Sequence, residues 1–345
     1  MFEFQMELFG IKFAPLFIPL ERRLQTLAAA AWLSIVLLGT LVGTCTAIFL
    51  IVYTKLRWVT IIYLVWIWFI DKDTPEVGGR KNKWIKSSPW WRYLRDYFPV
   101  QFRKLEGVVL DPKKNYLFCS FPHGMYPIGV FCSLAIDYRD GVKFFPHHTV
   151  YGVTLSIQFY VPFSRDIMLA LGLISSSAKS IDYVLSRPGG GNVCVLVVGG
   201  AGEAFYCKPG VYKLNLKNRK GFVKLALRNG TPMVPVFSFG ETDVYDQVEG
   251  PRLRRIQEKF KKWIGVVPIV LLGRGFFQYS FGLLPRRRPI TTVVGEPIDV
   301  PKIEDPTKEV IDEYHNEFIE KLTELFEKEK YKYLEKPEET NLIIV

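Results

Sequence analysis

Only five cysteines (Cys45, Cys119, Cys132, Cys194 and Cys207) occur in 345 residues, an odd number with no C-x-x-C pair. That argues against a disulfide framework and a cysteine-based zinc site, and the expectation is free, buried thiols facing a reducing compartment. Histidines number four. Two of them, His147 and His148, are adjacent. Neighbouring side chains in a strand point to opposite faces, and no carboxylate follows at ligand spacing, so a structural use is expected and metal is not. No G-x-S-x-G stretch supports a serine-nucleophile elbow. No glycine loop ends in G-K-[ST], no nucleic-acid-binding motif occurs, and neither internal repeats nor low-complexity tracts are visible. Charge is missing altogether from Leu27–Tyr53. At 1.5 Å per residue this run makes about 40 Å of helix, against a hydrocarbon core of about 30 Å. It is too long and starts too late for a cleaved signal peptide. Membrane insertion is the expectation.

What is present fits a membrane. Hydrophobic residues make up 49% and aromatics 15%, with a mean hydropathy of +0.12. The net charge is +11, and Lys302–Glu339 alone holds seven Lys against thirteen Asp/Glu, which leaves the remainder at +17. A basic, aromatic-rich body suits an anionic membrane surface or an anionic substrate. Nucleic acid, the rival partner, is disfavoured by the membrane segment.

Four regions can be drawn: an N-terminal cytosolic segment (1–25), a transmembrane hairpin (26–70), a basic aromatic segment (71–104) and a catalytic domain with an amphipathic C-terminal helix (105–345). Trp58–Ile70 is thirteen residues, about 20 Å of helix and short for a second straight span. A hairpin with Lys55 and Arg57 near its tip is preferred, with a single pass as the alternative. Arg22 and Arg23 before it, and Arg80, Lys81, Lys83 and Lys86 after it, put both ends in the cytosol. Within 71–104, Trp90, Trp91, Leu94, Tyr97 and Phe98 recur at helical spacing, which fits either a packed helix or an interfacial one.

From Val108 onward, strand and helix patterns alternate. Tyr116–Ser120, Val193–Val198, Met233–Phe239 and Ile290–Val294 read as buried strands, and Phe163–Leu171, Ala178–Ser186 and Gly221–Asn229 as helices. The expected fold is α/β, a mixed sheet with helices on both faces. Arg252–Ile264 reads as a basic amphipathic helix. A tail helix capped by Asp305, with Pro306 at its first position, lays Val310, Ile311, Tyr314, Phe318, Leu322, Leu325 and Phe326 on one face for docking. His315 is expected on the surface.

The candidate chemistry centres on NYLFCSFPHGMYPIGV, Asn115–Val130. An apolar run ends at Pro122-His123-Gly124: Pro122 gives no N–H, and Gly124 takes angles other residues resist. One imidazole is thus displayed on a tight turn at a strand end, a common place for a general base.

This FPHG lies on a chain that also carries VVGGAGEAF (Val197–Phe205), NRKGFVKLAL (Asn218–Leu227), PVFSFGE (Pro235–Glu241) and TTVVGEPI (Thr291–Ile298). Together and in this order they resemble the family of type 2 diacylglycerol, monoacylglycerol and wax-alcohol acyltransferases, over nearly the whole chain from about Phe13. Stretches such as Phe13–Ala28 and Gly273–Pro285 look most like 2-acylglycerol O-acyltransferases. The resemblance implies transfer of an acyl group from acyl-CoA to mono- or diacylglycerol, with no cofactor beyond the co-substrate. It implies an endoplasmic reticulum membrane enzyme in triacylglycerol synthesis, its catalytic domain cytosolic, with lipid-droplet association and a homo-oligomer left open. Long-chain alcohols as acceptors, and a non-catalytic lipid-binding role, are the alternatives. The family's HPHG reads FPHG here, Phe121 replacing the first His, and the family's catalytic His carries over onto His123.

More distant glycerolipid acyltransferases have H-x-x-x-x-D, but the fifth residue after His123 is Ile128. Glu203, after Gly199-Gly200-Ala201-Gly202 at a second strand end, is the expected substitute to orient the ring or sit by the acceptor. Pro122, Gly124, Gly199 and Gly200 are expected to border the substrate. Lys208–Arg228 has seven Lys/Arg and no acid. It is expected either to be a solvated face or to seat CoA phosphates, with Arg219 and Lys220 at the start of the Gly221 helix. Arg286-Arg287-Arg288 could assist or meet lipid phosphate.

Overall fold

The computed structural model describes residues 7–15, 17–136, 144–247, 255 and 271–345. The expected amphipathic helix Arg252–Ile264 therefore lies outside the described residues, apart from Arg255. Seven strands form the main sheet: β1 (Gln101–Lys104), β2 (Tyr116–Phe121), β3 (Thr149–Thr154), β4 (Leu173–Ser175), β5 (Asn192–Val197), β6 (Met233–Phe239) and β7 (Thr291–Val294). Their spatial order is β1-β7-β6-β2-β5-β3-β4. All neighbours are parallel except β7 and β6, so the sheet is mixed. With helices α4 (Ser164–Ala170) and α5 (Ala178–Leu185) within the stretches that the pattern gives as helical, the α/β architecture with helices on both faces is as expected.

Strands β2 and β6 are buried at every position, the pattern of strands covered on both faces. Leu117, Cys119 and Phe121 point to one face, with Phe222, Phe318 and Leu322 of helices α6 (Gly221–Asn229) and α7 (Lys308–Tyr333). Tyr116 and Phe118 point to the other, with Val130, Leu134 and Phe145. The edge and outer strands β1, β3 and β4 were not marked as strands by the sequence pattern. They are short or only part-buried, so no continuous apolar run announces them.

Helix α6 has the bounds expected and ends on Gly230 in the left-handed region at φ 61°, the usual glycine stop. The tail helix starts later than expected: Thr307, not Asp305, is its cap, its hydroxyl accepting the amide of Val310. Phe318, Leu322, Leu325 and Phe326 dock as the pattern required. His315 is not on the surface: it is 2% exposed, with Nε2 at 3.1 Å from the carbonyl of Leu216. Past the helix, Leu342–Ile344 pairs in parallel with Tyr212–Leu214. That ribbon fixes the backbone leading to Asn215.

Helix α1 (Leu20–Tyr53) is unbroken through the whole uncharged run, and is the one described helix long and apolar enough to cross a bilayer. A turn at Thr54–Leu56 leads to α2 (Arg57–Val65), continued by a π-helical turn at Trp66–Ile70. Lys55 and Arg57 lie at this turn. The second limb is about 20 Å long, so a second span is not evident from length. Both limbs rest on one segment: Gly39 and Gly43 of α1 face Ser164 and Pro162. The Tyr63 ring of α2 stacks on Phe163 at 5.1 Å. The first half of α1 is embedded in the folded domain, with Ala28 and Ala29 buried. Trp32 is stacked on Phe131 at 4.0 Å. The helix α3 (Trp90–Tyr97) buries Trp91, Leu94 and Tyr97 in this cluster. Of the two readings of that face, packing is the one observed.

Gly43 makes a direct test of this docking. A Cβ there would stand 2.4 Å from the carbonyl oxygen of Pro162, which cannot move without shifting backbone. At Gly39 the nearest atom, 3.0 Å away, is the Ser164 hydroxyl, which can rotate. Alanine in a helix is favoured over glycine by about 1 kcal/mol, whereas overpacking costs about 1–3 kcal/mol. Gly43→Ala should therefore lower the thermal unfolding midpoint of the detergent-solubilised protein, and Gly39→Ala should leave it level or raised. Equal shifts would mean that α1 does not dock through Gly43.

Candidate functional site

Strand β2 lies between β5 and β6, parallel to both, with Ser120 in register with Val197 and Phe121 with Phe237. The loops leaving these three strands therefore emerge on one edge of the sheet, where open α/β sheets build their sites. The β2 loop brings His123, the β5 loop Glu203 and the β6 loop Glu241. His123 and Glu203 meet as the sequence suggested.

Their contact differs from the expected one. Glu203 is 2% exposed, and its Oε2 accepts the backbone N–H of His123 at 2.6 Å, not a ring N–H. Its Oε1 accepts the amide of Asn215 at 2.9 Å. On the other side Glu241, 0% exposed, accepts the amides of Ile128 and Gly129, each at 2.8 Å. Each carboxylate spends both oxygens on backbone, and the turn 123–129 is held at both ends. Glu241 had no assigned role in the sequence reading. The signal was its place in PVFSFGE, directly after a buried strand and a glycine at φ 83°.

Gly124 and Gly199 make room for these carboxylates. A Cβ on Gly124 would lie 2.7 Å from Cγ of Glu241, and one on Gly199 2.2 Å from Oε2 of Glu203. Gly200, by contrast, faces open space. Pro122 is buried behind the turn. Phe121 is fully buried and meets Phe318 at 6.1 Å, in the core beneath α7 and away from the imidazole. Period-two alternation along β2 dictates this, so the side chain at 121 is a packing residue here.

The ring of His123 is half-buried, with Nδ1 3.1 Å from the carbonyl of Gly124. A carbonyl only accepts, so Nδ1 carries the proton and Nε2 keeps its lone pair. Burial holds the imidazole below its usual pKa, which leaves it neutral, and able to act as a base, near pH 7. Burial also pushes Glu203 up to about 7 and Glu241 up to about 8, opposed in each case by the N–H donors. Cys207 and Cys194 are pushed up to about 12 by burial, which removes them as thiolate nucleophiles.

Beside the turn lies an apolar cavity of about 110 Å³, lined by Trp32 and Val36 of α1, Tyr126, Pro127, Phe131 and Met168 among others. Tyr126 and Pro127, three and four residues after His123 on the same turn, form part of its lining, which places the turn beside a mostly apolar space. Of the expected phosphate seat, Lys220 is paired with Asp312 at 2.5 Å. Gly221 opens α6 on the surface, and Arg219 is exposed 4.0 Å from where a Gly202 Cβ would be. His148 lies 3.3 Å from the carbonyl of Asp111 and 5.8 Å from the Tyr116 ring, a structural use. Among the described residues no His/Cys/Asp/Glu group has a metal-holding arrangement.

A family model described as diacylglycerol acyltransferase matches residues 49–345. Diacylglycerol O-acyltransferase 2 of Dictyostelium discoideum is 44% identical over 93% of this chain and 96% of its own. The 2-acylglycerol O-acyltransferase 1 of Bos taurus is 44% identical over 94% of this chain and 96% of its own. Diacylglycerol O-acyltransferase 2 of Homo sapiens is 42% identical over 91% of this chain and 81% of its own.

The two carboxyls set a pH dependence. Their folded pKa values lie above the ordinary carboxylate value of 4.5. The stability they contribute is thus fully present below that value and lost as pH rises through about 7 and 8. The thermal midpoint should fall between pH 5 and 8.5, and Glu203→Gln or Glu241→Gln should each make that fall shallower. At pH 5 Glu241→Gln should still be destabilised by about 1–3 kcal/mol, because its NH₂ faces an amide N–H. An unchanged slope in both variants would remove the carboxyls from the linkage.

Proposed function

The chain belongs to the diacylglycerol acyltransferase family, and we propose that it esterifies mono- or diacylglycerol from acyl-CoA with His123 as the general base. The observation that carries this reading is an imidazole with a free Nε2 on a doubly held turn, whose following residues Tyr126 and Pro127 line an apolar cavity. In the reaction Nε2 takes the acceptor's hydroxyl proton as the oxygen attacks the thioester carbonyl. The tetrahedral intermediate then breaks its C–S bond, and the imidazolium returns the proton to the departing CoA thiolate. The products are an ester and free CoA, so the chemistry calls on no further cofactor. Relatives named for both acceptors match at the same identity, which supports either acylglycerol as the acceptor.

Glu203 and Glu241 are positioning residues in this scheme. They hold the backbone that carries the base and leave Nε2 to the substrate. The cavity takes the acyl chain and keeps water from the thioester. His123→Ala should lower turnover by about 10² or more while acyl-CoA binding persists. Glu203→Gln should lower it less, and the double variant should lose little beyond His123→Ala, because positioning matters only while the base is present. The acid limb of the parent's rate profile should fall at a pKa below about 6.5 and remain in Glu203→Gln. Parental turnover in a well-folded His123→Ala enzyme, assayed with monoacylglycerol, diacylglycerol and hexadecanol, would exclude the base.

We also read the chain as an endoplasmic reticulum membrane protein whose helical pair enters and leaves on the cytosolic side. Support comes from packing: Trp32 on the first limb meets Trp91, beyond the second limb, at 5.8 Å in one cluster. Exposed apolar side chains concentrate on the outer parts of both limbs, such as Leu41, Phe49, Trp58, Ile62 and Phe69. Glycosylation tags placed before Arg22 and after Lys86 should both stay unmodified in microsomes. Modification of one tag alone would establish a single pass.

A further inference from the structure

At the start of α1 lies an open cleft of about 1140 Å³ that the acyl-transfer scheme has not used. One wall comes from Lys12–Leu27, with Lys12, Arg22 and Arg23; the other from Arg274–Arg288, with Arg274 and the run Arg286–Arg288. Among the described residues the lining contains seven cations and no Asp or Glu. Among the described residues only Asp246 pairs with any of them, 2.5 Å from Arg286, whose Nε is buried without a partner. Arg287 lies over the Tyr97 ring at 4.5 Å and Arg274 over Tyr279 at 4.4 Å. Burial, and then the nearness of Arg22, pushes the Arg287 guanidinium down to about 10. Two segments more than 200 residues apart have brought like charges together, at an energetic cost that a bound polyanion would relieve. The volume exceeds what one phosphate needs. Phe276 and Phe277, 49% and 84% exposed, offer ring faces beside the guanidinium groups.

The cleft leads along α1 toward Tyr126, three residues after His123. Thr26 and Leu27 line it; one turn on, Ala29 and Trp32 line a narrow crevice with Tyr126 and Pro285; then Trp32, Val36 and Tyr126 line the apolar cavity. We propose that this arginine-lined cleft, rather than the Lys208–Arg228 stretch, seats the phosphates of the acyl-CoA donor. The proposal rests on acyl-CoA being the donor, and it places the anionic end of that molecule at the opposite end of the path from its acyl chain. Arg forks suit phosphate oxygens bidentately, and the aromatic rings suit an adenine face.

The test uses the full chain in detergent micelles and adenosine 3′,5′-bisphosphate as probe. The parent should bind it with a salt-sensitive affinity. Arg274→Gln with Arg287→Gln should weaken binding and raise the acyl-CoA KM by about tenfold or more, with kcat little changed. The exposed set Arg22→Gln, Arg23→Gln and Arg288→Gln should do the same without touching buried packing. Lys308→Gln with Lys328→Gln, equal in charge removed to the Arg274 and Arg287 pair and remote on α7, should match the parent, as should Arg219→Ala. Parental affinity in both cleft sets, or loss in Arg219→Ala alone, would overturn the proposal. So would cleft variants that lose binding only to phosphatidylserine vesicles, since the cleft would then be a lipid headgroup seat. Cleft-dependent probe binding in a parent that does not turn over acyl-CoA would uphold the phosphate site and overturn the donor assignment.

Discussion

Two buried carboxylates that bond to backbone amides, one on each side of His123, are the constraint around which this site is built. A carboxylate stripped of water is costly unless its oxygens are satisfied. Glu203 and Glu241 each meet that demand with two N–H groups, and all but one of those four amides belong to or flank the turn 123–129. The consequence is geometric. The turn cannot shift without leaving a buried carboxyl short of its hydrogen-bond partners, so the imidazole is presented at one place on the sheet edge. The requirement for glycine at 124, 129 and 199 follows, because a methyl group at each would overlap a glutamate side chain.

Strand order makes this clamp available. With β2 between two parallel neighbours, the loops after β5 and β6 arrive on either side of the histidine turn. The parallel Tyr212–Leu214 and Leu342–Ile344 ribbon then fixes Asn215, whose amide fills the second oxygen of Glu203. Residues more than 120 positions from His123 thus contribute to where its ring stands. The same logic accounts for Phe121: on a strand whose side chains alternate between two covered faces, it faces the core beneath α7 and the turn two residues on faces the edge.

Helix α1 has two environments along one axis. Its first half is a core element, with Ala28 and Ala29 buried and Trp32 stacked on Phe131. Its second half carries exposed Leu41, Phe49 and Val52, which in water would be an adverse surface. One helix thus joins Trp32 and Val36, which line the apolar cavity, to an exposed apolar half of the kind that suggests membrane association.

The sequence by itself determined the long apolar helix, because an uncharged apolar run is favoured only where its surface leaves water. It also determined the buried strands β2, β5, β6 and β7, whose apolar runs end on Gly or Pro, and the turn that displays His123. Family resemblance through five ordered motifs carried the reaction class, which the relatives bear out. Strand neighbours, by contrast, are set by packing between segments far apart in the chain. Only the tertiary structure therefore decided that Glu203 bonds to the backbone of His123 and not to its ring, and that Glu241 stands opposite it. It alone buried His315 against Leu216, and moved the tail cap to Thr307, whose hydroxyl reaches the amide of Val310. The arginine cleft is of the same kind: Arg22 and Arg287 are charges on unrelated stretches of sequence, and become neighbours only when the first half of α1 packs into the folded domain beside α3.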